Sequence, residues 1–235
     1  MSSVTPAPTS RVLGEWRARI AAEYTSATIT QSLVLWLMQA AAPPDLIDAG
    51  LVIVSDELAH SRMSHDVYVA AGGTEPPVLD RARLGLVRER ESLEDDILFA
   101  CVSTFCLGET IAVPLFRRLR ERCTVAVARD ALDRILRDEV RHRDFGWDLL
   151  DWRCTVDETT PAQVAAALPA MLRDLEKSYG GGNRVVSSDD GVMSDDERAW
   201  GLAPPREYAE VLERTLEKEY APRFEARGVR WNRVA

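Results

Sequence analysis

The chain has 235 residues, with 29 Lys and Arg against 38 Asp and Glu, which gives a formal net charge of -9. Apolar residues make up 46% and charged ones 29%, an ordinary globular balance that excludes collagen-like, low-complexity and disordered classes. The acidic excess disfavours a nucleic-acid backbone or an anionic membrane as main partner.

Residues 1–10 are polar and include Pro6 and Pro8, so a disordered tail is expected, with neither a secretory signal nor a lipidation site. The expected location is the cytoplasm. The run Ser32 to Ala42 is read as the longest apolar stretch, interrupted by Gln39 and stopped by Pro43-Pro44, too short to span a bilayer. Cys101, Cys106, Cys123 and Cys154 form no C-x-x-C pair, which points to reduced, buried thiols rather than a zinc ribbon or a thioredoxin motif.

Helical periodicity dominates, and no alternating β-branched run is long enough to build a sheet. A first helix is expected from Arg11 to Ala41, with Val12, Trp16, Ile20, Glu23, Ala27, Thr30 and Val34 on one face. A second runs from Pro44-Asp45 to Gly72-Gly73, antiparallel to the first, with Ile53, Glu57, His60 and Val67 on its stripe. A third is expected from Leu79, with a break near Gly85, through Val102, Phe105, Glu109, Ala112 and Phe116 to Arg122. A fourth spans Val125 to Trp152, with Leu132, Ile135, Glu139, His142, Gly146 and Leu149 facing inward. Four long helices imply an all-α antiparallel bundle over 11–155. The remainder, 156–235, reads as a helical extension packed on that core: a helix over 161–179, a Gly/Ser/Asp-rich loop over 180–193 and a last helix over 206–227.

Two short motifs carry the chemistry. Asp56-Glu57-Leu58-Ala59-His60 and Asp138-Glu139-Val140-Arg141-His142 each place a carboxylate and an imidazole at i and i+3, on one helix face. Lone carboxylates, Glu23 and Glu109, occupy stripe positions otherwise suited to Leu or Ile. Each half of the core therefore reads as Glu followed by E-x-x-H, a weak internal repeat. Buried carboxylates need counter-charge, which two divalent cations supply while two imidazoles complete the coordination; oxygen and imidazole donors suit iron or manganese. His65 lies about 140° further round the helix than His60 and is expected at the surface or behind the ligands. Cys106, one turn before Glu109, and Tyr24, beside Glu23, are read as packing residues, and the cluster Glu89, Glu91, Glu94, Asp95 and Asp96 as a solvated face.

This pattern resembles the ferritin-like di-iron carboxylate superfamily, described by a Glu from each of two helices plus E-x-x-H from each of the other two. The stretch Asp138 to His142 is similar to the D-E-x-R-H motif of bacterial multicomponent monooxygenases, acyl-carrier-protein desaturases and ribonucleotide reductase small subunits. The resemblance covers 11–153. It implies Glu23, Glu57, His60, Glu109, Glu139 and His142 as ligands to two iron ions, or to a manganese and an iron. It also implies that Asp56 and Asp138 support the ligating imidazoles, Asp138 bonding His60 and Asp56 bonding His142.

The expected activity is that of a non-haem di-iron oxygenase or oxidase. Dioxygen is co-substrate, a small organic molecule is hydroxylated, N-oxygenated or desaturated, and an external reductase or ferredoxin supplies electrons. Neither nucleic acid nor membrane is an expected partner, and the chain is expected as a monomer or homodimer. The alternatives are a ferroxidase or iron-storage protein, a rubrerythrin-like peroxidase and a metal-stabilised structural bundle without turnover; no cysteine follows Cys154 to build a rubredoxin domain.

Overall fold

A computed structural model describes residues 6–179 and 193–231, and every regular element among them is helical. The long helices are α1 (Ser10–Gln39), α2 (Pro44–Ala70) and α5 (Ala126–Val156). A further one is continuous over Leu93–Glu121 and comprises α3 (Leu93–Ala100), a π-helical segment (Cys101–Glu109) and α4 (Thr110–Glu121). Then follow α6 (Thr160–Tyr179), α7 (Asp195–Ala199), α8 (Pro205–Thr215), a second π segment (Leu216–Tyr220) and α9 (Ala221–Glu225). The Gly/Ser/Asp-rich loop and the end of the tail at Met1 lie outside the described residues.

Two of the sequence expectations are corrected. No helix begins at Leu79: residues 84–92 are not helical, and a single 3-10 turn (Arg81–Arg83) precedes Gly85 at φ +83, a conformation that ends a helix. The helix starts instead at Leu93, where Ser92 Oγ accepts the Asp95 amide at 3.0 Å and Glu94, Asp95 and Asp96 occupy the positive first turn. The longest apolar stretch is also elsewhere. Leu93–Glu121 is long and apolar enough to cross a bilayer by length and composition, but most of it is buried within the protein, as in the core helix of a bundle.

The residues group into two compact units, each assembled from three stretches of chain. The first comprises Met1–Glu89, Phe116–Asp138 and Met193–Ala203. In it α1 and α2 pack as a hairpin. Ser61 Oγ on α2 donates to Ile20 O on α1 at 3.0 Å, while Arg17 near the start of α1 reaches Glu75 beyond the end of α2, so the pair is antiparallel. The whole α1 stripe read from the sequence is buried. Each large apolar side chain on it contributes about 1.5–3 kcal/mol. The short helix α7 knits the unit together: Trp16 Nε1 donates to Trp200 O at 3.0 Å, Trp200 Nε1 to Pro6 O at 2.9 Å, and the amides of Thr124 and Val125 to Ala199 O. Its own start is a reciprocal Ser194–Glu197 capping box, and Glu197 also accepts from Thr9.

The second unit comprises Arg90–Leu115, Glu139–Val192 and Pro204–Ala235. Here Gly146 permits a close crossing: a Cβ at that position would stand 2.6 Å from Phe105 Cβ and 2.9 Å from the Cys106 amide nitrogen, both in the π segment. Cys106 and Cys101 donate to Gly146 O at 3.2 and 3.4 Å. The buried Tyr220 hydroxyl donates to Leu107 O at 2.6 Å, and Trp147, whose indole donates to Thr110 Oγ1 at 3.0 Å, meets Phe224 edge-on. The π segment is thus held by α5 from one direction and by the C-terminal helices from another.

Candidate metal centre

In the first unit α1 presents Glu23 and α2 presents Glu57 and His60, all buried, with the imidazole and carboxylate positions of α2 one turn apart. One ligand atom from each of the three lies within 4.8 Å of the others. In the second unit the last residue of the π segment, Glu109, and the α5 residues Glu139 and His142 form an equivalent buried triad under the same 4.8 Å limit. π-helical turns are rare and concentrate at functional positions; this one ends on Glu109, the carboxylate of its triad that α5 does not supply.

The donor atoms are set as metal ligands need. His60 Nδ1 stands 3.7 Å from Glu57 Oε2, and His142 Nδ1 stands 3.7 Å from Glu139 Oε2. That is too long for an N–H···O hydrogen bond. It is within the span, at most about 4.2 Å, available to two ligands of one ion with bonds of about 2.1 Å. Two carboxylates this close repel when both are ionised, and a divalent cation held between them cancels that repulsion. The triads therefore fit a metal ion by chemistry and by spacing.

Behind His60 lies a hydrogen-bonded line. His60 Nε2 stands 3.1 Å from Asp138 Oδ2, which assigns the ring proton to Nε2 and leaves the Nδ1 lone pair on the Glu57 side. Asp138 also accepts from Arg134 Nε, and Arg134 Nη2 reaches Asp56 Oδ1 at 3.4 Å. Burial pushes the Asp138 carboxyl up, but the hydrogen bonds from Arg134 and His60 prevail and hold it below its ordinary value. Sequence reasoning did not single out Arg134; its signal was the i, i+4 spacing to Asp138 on α5.

The remaining candidates fall outside the triads. His65 and Arg141 are exposed, and Tyr24 is at the surface. Cys106 is engaged with Gly146 O. In the acidic cluster Asp96 is buried, which corrects the reading of a wholly solvated face: its Oδ1 accepts the Arg90 amide at 3.1 Å in front of α3. The four cysteines are free thiols.

No protein-family model, curated protein or solved structure matches the chain. The class that fold and site define is an all-helical protein with buried Glu/His clusters able to hold metal.

Proposed function

We propose that the chain is a non-haem dimetal oxidoreductase with a ferritin-like helical core. In this reading it uses dioxygen to hydroxylate, N-oxygenate or desaturate a small organic substrate, with electrons from an external donor. The observation that carries the reading is the pair of equivalent buried triads, each two carboxylates and one imidazole. Glu23, Glu57 and His60 would hold one ion, and Glu109, Glu139 and His142 the other. Iron bound there supplies one-electron redox steps and a binding position for dioxygen.

The chain's own residues do the rest. Glu57, Glu139, His60 and His142 are nearly sealed from solvent, so charge at the ligands is not dispersed into water. His60 holds a proton on Nε2 against Asp138, and its Nδ1 faces Glu57, where it would meet a bound ion. A histidine in both triads favours redox turnover over storage, the pattern the family resemblance implies for oxygen-activating members.

The test is anaerobic ferrous loading of the whole chain, metal analysis, and oxygen uptake on mixing with aerated buffer. Two ions per chain and oxygen consumption faster than that of free ferrous ion are expected. Fewer than one ion per chain with helicity intact would overturn the reading. Assembly into a many-subunit shell that mineralises iron would mark a ferroxidase instead, and turnover with peroxide but not dioxygen a peroxidase.

A further inference from the structure

We propose that Arg134 is a positioning residue that fixes the His60 imidazole as a metal ligand by clamping two aspartates at once. Its consequence for metal affinity rests on the dimetal reading above; its effect on the imidazole does not.

Arg134 is the unusual member of its surroundings. Its side chain is 45% exposed, yet it ends on Asp138 and Asp56, whose side chains are 2% and 8% exposed. Nε serves Asp138 and Nη2 serves Asp56, so the two arms of one rigid fork hold two carboxylates. Asp138 Oδ2, the atom that receives Arg134, is also the atom against His60 Nε2. The guanidinium, the carboxylate and the imidazole thus form one line from the solvent edge to Glu57, opposite His60 Nδ1 at 3.7 Å.

Each contact has a consequence for the next. A free imidazole exchanges its proton between two nitrogens and flips about its outer bond. A carboxylate fixed in place selects the Nε2–H form and one ring orientation. The carboxylate is itself fixed only while its position is held. Asp56 and Asp138 repel each other as like charges, and the guanidinium between them opposes that repulsion while tying one to the other. Lysine replaces it only in part, because a single ammonium keeps the charge but lacks the planar fork.

The experiment uses metal-free full-length protein labelled with 15N-histidine, read by long-range proton–nitrogen NMR at a fixed pH of about 8, where unperturbed imidazoles are neutral. In the unaltered chain His60 is expected as a single Nε2–H tautomer. In Arg134→Gln the His60 signals are expected to shift toward a mixture with the Nδ1–H form, with His65, which is exposed, unchanged. Arg134→Lys should fall between the two. Circular dichroism checks that the variants fold, and the exposed position of Arg134 makes that the expected result. A chelator-competition titration with ferrous ion should then show an affinity loss of about 10- to 100-fold in Arg134→Gln. A pure Nε2–H tautomer in Arg134→Gln, or unchanged ferrous affinity despite an altered tautomer, would overturn the proposal. A shifted tautomer in a protein whose unaltered form binds no iron would support the clamp and refute the dimetal reading.

Discussion

Replacing Gly146 with Ala separates the crossing of α5 and the π segment from every other source of stability. The added Cβ meets Phe105 Cβ at 2.6 Å, Phe105 C at 2.8 Å and the Cys106 amide nitrogen at 2.9 Å. Two of these are backbone atoms, so no side-chain rotation relieves the overlap. Overpacking of this kind costs about 1–3 kcal/mol. Against it stands the gain of about 1 kcal/mol from Gly to Ala inside a helix. Gly14 in α1 supplies the control, because a Cβ there meets nothing within 4 Å and collects only the gain. The difference between the two variants cancels propensity and leaves the overlap, about 1–3 kcal/mol. At about 2–4 °C per kcal/mol for a chain of this size, Gly146→Ala should melt about 2–12 °C below Gly14→Ala in differential scanning calorimetry. Because the displaced segment ends on Glu109, ferrous affinity should fall in Gly146→Ala and hold in Gly14→Ala. Equal melting temperatures for the two variants would refute the close-crossing argument.

Three further outcomes are expected. His60→Ala or His142→Ala should abolish ferrous binding in its own triad while far-ultraviolet circular dichroism keeps most of its helical signal, since the apolar stripes hold the helices; loss of that signal would make the metals structural. Tyr220→Phe removes the donor to Leu107 O. The cost should be about 0.5–1.5 kcal/mol in urea denaturation, with the Thr110 amide still bonded to that carbonyl; a larger loss would mean the hydroxyl holds more than one partner. In native protein at pH 8, a thiol reagent should label Cys154, the one cysteine not fully buried, first. Cys123 should resist, because burial raises its thiol to about 11 and leaves about 0.1% thiolate at that pH; prompt labelling of Cys123 would contradict its burial.

Much of this architecture is legible in period and punctuation. Buried residues of α1 recur at steps of three and four, and Pro43-Pro44 divides α1 from α2. The Glu57/His60 and Glu139/His142 spacings put pairs of donors on one face, so helical period alone is enough to pick out both pairs. In the stretch 79–91 the break expected at Gly85 is present as a positive φ, but the apolar residues Leu79, Leu84, Leu86 and Val87 before and after it suggest helix where the chain forms only the turn Arg81–Arg83. The π segment is not told from an α-helix by the stripe Val102, Phe105 and Glu109, and its close approach to Gly146 joins residues about 40 apart in the chain. The helix α7 carried a readable capping signature, Ser194 to Glu197, but five residues are too few for periodicity to register. Arg134 lies at a readable i, i+4 spacing from Asp138, but its second partner, Asp56, is a neighbour only in space, which no linear spacing states.

The interleaving of the two units constrains how the molecule is made. Neither is a continuous piece of chain, so no single cut releases one of them whole. A growing chain on the ribosome has α1 and α2, with Glu23, Glu57 and His60, long before the residues of α7 that bond Trp16 and seat the turn at Thr124. At synthesis rates of about 5–20 residues per second, the hairpin waits about 6–27 seconds for its last stretch. During that interval Trp16 has no Trp200 carbonyl to bond, and its apolar stripe is open to water or to a chaperone. Completion of the first unit is therefore a late, long-range closure: refolding from denaturant should be slow for a helical protein, with the Trp16 environment among the last to mature.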